Sequence, residues 1–172
     1  KKDAPEADVM FGGGVESLQS YSGCFAPYSC QDAAQIAAQY RSPDDVWTPF
    51  SSLPVVLICN PKLLSSESLQ SWADLLSPEL RGKIAFADPS VSGSSYTGLA
   101  TMLYALSEEE QDAALQRFAE NLDGKLLSGS GEIVSSVASG ESLAGITLEE
   151  TALKRIAAGD EIEMIYPTDG TS

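Results

Sequence analysis

Two rhythms of apolar and polar positions divide the chain. "VVLICN", Val55 to Asn60, is an unbroken and largely β-branched run, which predicts a strand buried on both faces. Shorter runs of the same kind are "EADVMF" (6–11), "KIAFA" (83–87), "KLL" (125–127), "LAGIT" (143–147) and "EIEMIYP" (161–167). Helical spacing separates them. Leu99, Met102, Leu103 and Leu106 fall on one stripe. Ser107 and Glu110 have capping-box spacing and open a helix with Leu115, Phe118 and Leu122 inward. "EIVSSVAS" reads as a helix ending near Gly140. "TLEETALKRIAA" reads as another, with Thr147 and Glu150 spaced as a capping box and Gly159 as its stop.

Earlier in the chain, "GGGVESLQS" turns into a helix and "QDAAQIAAQY" is alanine-rich and helical in pattern. "SLQSWADLLSPELRG" predicts a short helix stopped at Pro78. "RSPDDVWTPFSSLP" has three prolines and no period, so it predicts a connection. Strands and helices alternate, which defines an α/β class.

The junctions between these elements share a composition. "VMF" runs into Gly12, Gly13 and Gly14. "IAFAD" runs into Ser92, Gly93, Ser94 and Ser95, ahead of a helix expected to start near Tyr96. "KLL" runs into Ser128, Gly129, Ser130 and Gly131, and "AGI" runs straight to Thr147. In α/β sheets such junctions gather at the carboxyl ends of strands, where ligands bind. Helix N-termini there present unpaired N–H groups and the positive end of the dipole, and small residues let a ligand approach closely. Each junction taken singly is explained by N-capping and tight turns. Four together, with more hydroxyls between Ser92 and Ser95 than one cap uses, point to a ligand site. Asp88, Glu132, Glu149 and Glu150 lie near the same ends. They complement helix dipoles, oppose a bound anion, or hold an amine on a mixed ligand.

Charge and composition narrow the function. With 25 acidic and 10 basic residues the net charge is −15, and no Lys/Arg cluster exists to engage a duplex, so nucleic acid is not an expected partner. The scattered acids read as a solubilising surface. No apolar run approaches the ~20 residues of a membrane span. The sequence holds no histidine, which removes Ser-His-Asp and Cys-His catalysis and every histidine metal site. Its three cysteines fit no zinc spacing. Cys24 and Cys30 can pair in an exported protein and equally fit small buried apolar positions, while Cys59 belongs to a core strand. "GSGEIV" has Val134 where a dinucleotide fingerprint needs its third glycine, Gly124-Lys125 is followed by Leu126 where an NTPase loop needs Ser or Thr, and Thr151 with Lys154 lies on a surface helix.

The order of the segments "ADVMFGGGVESL", "WADLLSPELRGKIAFADPSVSGSSYTGLATMLYAL", "SGSGEIVSSVASGESLAGITLEETAL" and "IEMIYPTDGTS" resembles the extracellular solute-binding proteins of ABC transporters. The resembling branch groups iron(III), phosphonate, thiamine and sugar-phosphate binders. The resemblance implies a three-layer αβα lobe of the periplasmic-binding-protein-like class II fold with a central mixed sheet. It implies two lobes that close on a solute, and it makes this chain a fragment centred on the second. Residues 1–52 would be a remnant of lobe one with the outgoing crossover, 53–165 lobe two, and 166–172 the return crossover.

Carried over residue by residue, the resemblance implies a ligand site drawing on Gly13 and Gly14 from lobe one. From lobe two it takes Ser92, Gly93, Ser94, Tyr96, Ser128, Ser130, Thr147 and Glu149. Iron-binding members use adjacent tyrosines, and "TLEETA" carries no such pair, so the site suits a phosphate, phosphonate, sulfonate or carboxylate on a small organic solute. The implied protein is a monomer. It is not an enzyme, has no metal and no cofactor, and serves a membrane permease driven by an ATPase. Its implied location is extracytoplasmic, periplasmic or as a cell-surface lipoprotein. The competing expectations are iron(III) taken through an anion, a small α/β enzyme using Ser92–Ser95 as an oxyanion or phosphate cradle, and a lobe that only docks to a protein.

Overall fold

Val55–Cys59 forms strand β1, and all five side chains are buried, as the continuous apolar run predicts. A computed structural model describes residues 7–171. In it the chain divides into two compact units, residues 1–52 and 53–172.

The second unit is a four-stranded mixed sheet in the order β2-β3-β1-β4, with β2 at Ile84–Ala85, β3 at Ala144–Leu148 and β4 at Glu163–Ile165. β1 is antiparallel to both β3 and β4, while β2 and β3 are parallel. Leu127 extends the sheet beyond β2 through a parallel bridge to Ala87, which is what the expected "KLL" strand amounts to. Strand alternation then splits the core in two. Val55, Leu57, Cys59, Phe86, Ile146 and Ile165 face one side. Val56, Ile58, Ala85, Ala87 and Met164 face the other.

Helices cover both faces, giving the three-layer αβα arrangement expected. On the first face lie α2, Gly93–Tyr104, and α3, Glu108–Leu122, with Met102 and Phe118 buried against the sheet. Phe118 meets Phe86 edge to face at 5.2 Å. On the second face lie α4, Gly131–Ala138, and α5, Glu149–Ala157, through Ile133, Val134, Val137 and Ala152. Two glycines set how deep the helices sit. A Cβ on Gly98 of α2 would stand 2.8 Å from Ile146 Cγ2. A Cβ on Gly145 of β3 would stand 2.9 Å from Ile133 Cγ2 and 3.2 Å from the Ala85 carbonyl oxygen.

Several expectations change. The short helix expected from Ser68 to its stop at Pro78 is replaced by a run of 3-10 turns, Ser66–Ser68, Trp72–Leu76 and Pro78–Leu80. Ser65, Ser71 and Ser77 each start one of these turns, and the extended Ser77 before Pro78 blocks continuation. The buried stripe of α2 is Ser95, Gly98, Thr101 and Met102. Leu99 and Leu103 are only partly buried, and Leu106 lies past the helix end. In α3, Ala114 takes the inward place and Leu115 is exposed. The Ser107 hydroxyl bonds the Glu110 carboxylate at 2.6 Å rather than the helix backbone.

The first unit has one short helix, α1 at Val15–Ser20, and single 3-10 turns at Ser22–Cys24, Ala33–Gln35 and Ala38–Tyr40. Phe11 and Phe50 stack with centroids 4.6 Å apart. Of the strand expected over 6–11, Glu6 lies outside the described residues, and 7–11 pairs with no described strand. The alanine-rich helix expected over 31–40 breaks at Ile36 and Ala37, both extended. A ten-residue helix with no buried face is marginal, and none of these side chains is buried. All three cysteines are free thiols.

Two outcomes follow. Gly145→Val should cost about 2–3 kcal/mol in urea unfolding by overpacking β3 against α4. Gly131→Ala, where an added Cβ meets nothing within 4 Å, should stay within about 0.5 kcal/mol of the parent. Burial, with the Glu163 carboxylate on the paired strand, pushes the Cys59 thiol up to about 11. Cys24, which is exposed, should therefore react with a thiol reagent in the native protein, and Cys59 only on unfolding.

Candidate functional site

The mixed sheet has one end where three helices begin. β2 and β3 run parallel, Leu127 runs parallel beside them, and their C-terminal ends lead into α2, α5 and α4 respectively. β4 also points to this end, because both it and β3 oppose β1. The structure thus brings Ser92, Gly93 and Ser94, then Ser128 and Ser130, then Thr147 and Glu149 to one rim of the second unit. Gly13 and Gly14 belong to the first unit, where Gly14 is the N-cap of α1 and Gly13 has φ +90°.

At α2 the turn is built by Asp88. Its carbonyl accepts from Ser92 N at 2.9 Å and its Oδ1 accepts from Ser90 N at 2.8 Å. The hydroxyl of Ser90, then its N–H, hold the Asp88 carboxyl below its ordinary value. Ser92 is the N-cap, and its Oγ accepts from Ser95 N at 3.3 Å and lies 3.3 Å from Ser94 Oγ. The helix therefore starts at Gly93, three residues before the start expected near Tyr96, and places Ser94 and Ser95 in its first turn. Ser95 Oγ is buried and has no hydrogen-bond partner. Such a group costs desolvation without compensation, and native folds keep few of them. Tyr96 lines a different feature, a groove of about 220 Å³ between α2 and α3 shared with Leu99, Leu103, Tyr104 and Gln111.

At α4, Ser130 sits at the N-cap position with helical backbone and makes no capping hydrogen bond. The Ser128 hydroxyl donates to the Glu132 carboxylate. Thr147 is buried within β3 opposite Val56, so the capping box expected with Glu150 does not form. Leu148 is the N-cap of α5, and Glu150 instead pairs with Lys154 at 2.5 Å. Glu149 N donates to the Pro54 carbonyl at 2.9 Å, and its carboxylate accepts from the Tyr166 hydroxyl. That bond pushes the Tyr166 phenol up from its ordinary range. The sequence pattern does not single out Tyr166, and it marks Ser95 only as part of the hydroxyl-rich loop. The signal for Tyr166 was its place directly after the last strand, in "YP".

The electrostatics differ among the three helix starts. α4 and α5 carry acids in their first turns and α2 carries none. A Cβ added at Gly93, Gly129 or Gly131 would meet nothing within 4 Å, so the backbone there is open to close approach. Among the described residues, no group of three His, Cys, Asp or Glu is placed to hold a metal ion. No helix among them is long and apolar enough to cross a membrane.

This is the architecture of the class II periplasmic-binding-protein fold, with three helix N-termini gathered at one rim. Residues 4–172 match the bacterial extracellular solute-binding protein family, and the chain belongs to that family. Membership places it outside the cytoplasm. An uncharacterized protein of Haemophilus influenzae is 29% identical over 182 residues, covering 99% of this chain and 52% of that protein. The chain therefore spans about half the length of that relative. The Fe(3+)-binding periplasmic protein of Serratia marcescens is 32% identical over 91 residues, 52% of this chain and 26% of that protein. The solved periplasmic binding protein AfuA of Actinobacillus pleuropneumoniae, with fructose-6-phosphate bound, superposes with a TM-score of 0.80 at 25% identity. That match covers 99% of this chain and 56% of AfuA.

Replacing Ser92 by Ala should cost about 1 kcal/mol of stability, the ordinary loss of an N-cap. Ser90→Ala should raise the Asp88 titration toward 3.8, followed by carboxyl NMR shifts. A depressed carboxyl stabilises the fold above its unfolded value, and that contribution is lost as pH falls through the folded value, so the effect belongs below about pH 4.

Proposed function

We propose that this chain supplies one wall of the cleft in the solute-binding component of an ABC importer. In this reading residues 53–165 are lobe two, 1–52 a part of lobe one with the outgoing crossover, and 166–172 the return crossover. The solute is a small organic anion, a phosphate ester or phosphonate, captured without chemistry and handed to a membrane permease. The observation that carries this is the shared rim, where three helices begin with open backbone at Gly93, Gly129 and Gly131.

Magnitudes favour an anion at α2 in spite of the net charge of −15. Scattered surface acids beyond the ~8 Å Debye length are largely screened at physiological salt. The N-terminus of α2 offers roughly half a positive charge and unpaired N–H groups at contact distance, where screening is weak. The hydroxyls of Ser92 and Ser94 lie in the same turn, and no first-turn carboxylate opposes them. The phosphate ester in the AfuA structure belongs to the same chemical class. The rim holds no tyrosine pair, which leaves ferric iron without the phenolate donors it favours.

Binding would shift an open–closed equilibrium through contacts made only when both lobes engage the solute. One lobe then retains part of those contacts. Calorimetry with fructose 6-phosphate and with 2-aminoethylphosphonate should show affinity at least about 100-fold weaker for this 172-residue chain than for the full-length protein, roughly 3 kcal/mol. Micromolar binding by this chain alone would contradict the two-wall account. Native mass spectrometry of the gently purified full-length protein should show a retained phosphorus-containing solute, and a retained metal ion with no organic anion would contradict the anion reading.

A further inference from the structure

Tyr166 has no role in the sheet, yet it stands at the rim. It follows β4 directly, is half exposed, and its hydroxyl donates to Glu149 at the start of α5. Its segment is fixed to the core. Thr168 N donates to the Gln70 carbonyl at 2.8 Å, and the Asp169 carboxylate accepts from Trp72 N at 3.1 Å. The Gly170 carbonyl accepts the Trp72 indole N–H at 2.8 Å, and the Thr171 hydroxyl donates to the Val55 carbonyl. Trp72 itself is fully buried. Glu149 is therefore held from two sides, through its backbone by Pro54 and through one carboxylate oxygen by Tyr166.

A carboxylate beside an anion-binding rim repels the ligand unless it accepts a hydrogen bond from it. An ionised Glu offers about four acceptor positions on two oxygens. Tyr166 uses Oε1, which leaves Oε2 for another donor. We propose that Tyr166 is a positioning residue that aims Glu149 Oε2 at a hydroxyl or ammonium group of the solute whose anionic end sits on α2. The proposal rests on the anion reading above and narrows it to small anions carrying a hydrogen-bond donor. The raised phenol stays protonated, as this role requires, and is unsuited to serve as a phenolate.

The test uses the ¹⁵N-labelled chain, in which millimolar binding is readable from amide shifts at Gly93, Ser94, Ser95 and Glu149. The probes are fructose 6-phosphate, 2-aminoethylphosphonate and propylphosphonate at pH 8, the last without a hydrogen-bond donor. At least one donor-bearing probe should bind about five-fold tighter than propylphosphonate, and which one does so separates hydroxyl from ammonium. Tyr166→Phe and, separately, Glu149→Gln should abolish that advantage, and propylphosphonate should bind the Glu149→Gln variant at least as tightly as the parent, because a negative charge has left the rim. A merely structural Tyr166 would weaken all three alike. If all probes shift the α2 amides equally in parent and variants, the positioning role is wrong and the anion site stands. If none shifts them, the anion reading itself fails, and the positioning role falls with it. One readout needs no ligand: Glu149→Gln should lower the Tyr166 ring titration toward 10. An unmoved titration overturns the proposal by itself.

Discussion

Strand β3 has almost no volume to spare on either face, and the rest of the second unit depends on that. Gly145 lets α4 and the backbone of β2 close on one side, and Gly98 lets α2 settle over Ile146 on the other. Interiors pack like crystals, so a methyl group here moves a helix rather than filling a gap. Because both helices are seated by these contacts, the places where they begin are fixed too. The rim of open N-termini is thus a consequence of core packing within the first turns of the helices, and it is held in place by β3.

That coupling explains why polar groups crowd where they do. Each acid near the rim has a partner: Asp88 has Ser90, Glu132 has Ser128, Glu149 has Tyr166 and Glu150 has Lys154. These bonds hold the negative charges in place, and α2 alone is left with an acid-free first turn. Glu149 also joins the residue preceding β1 to the residue following β4. The segment entering β1 and the segment leaving β4 therefore meet at one residue of the rim.

Much of this was legible in the sequence. The unbroken "VVLIC" run reads as a strand buried on both faces, and Ser107 marked a real helix start. What failed did so for local physical reasons. Thr147 and Glu150 have capping-box spacing, but pairing with Val56 keeps Thr147 in the strand. Residues 66–80 have helical composition, but three serine caps six residues apart divide them into single turns. The acceptors around Trp72 and the bond from Tyr166 to Glu149 join residues 17 to 98 positions apart, and no periodicity encodes such pairs. That Ser92, Gly93, Ser94, Ser128, Ser130, Thr147 and Glu149 would share one rim was readable because strand-to-helix junctions collect at one sheet end by topology alone. The family resemblance groups Tyr96 with them, and the helix turns it toward the groove shared with α3.

The central claim is that α2 receives the anionic end of a small organic solute. A crystal structure of the full-length protein with its co-purified solute tests it most directly. The account predicts an anionic group about 3 Å from the backbone N–H groups of Gly93, Ser94 or Ser95, the ordinary hydrogen-bond distance. A metal ion coordinated at the rim, or a solute whose anionic group makes no contact with the first turn of α2, would contradict it.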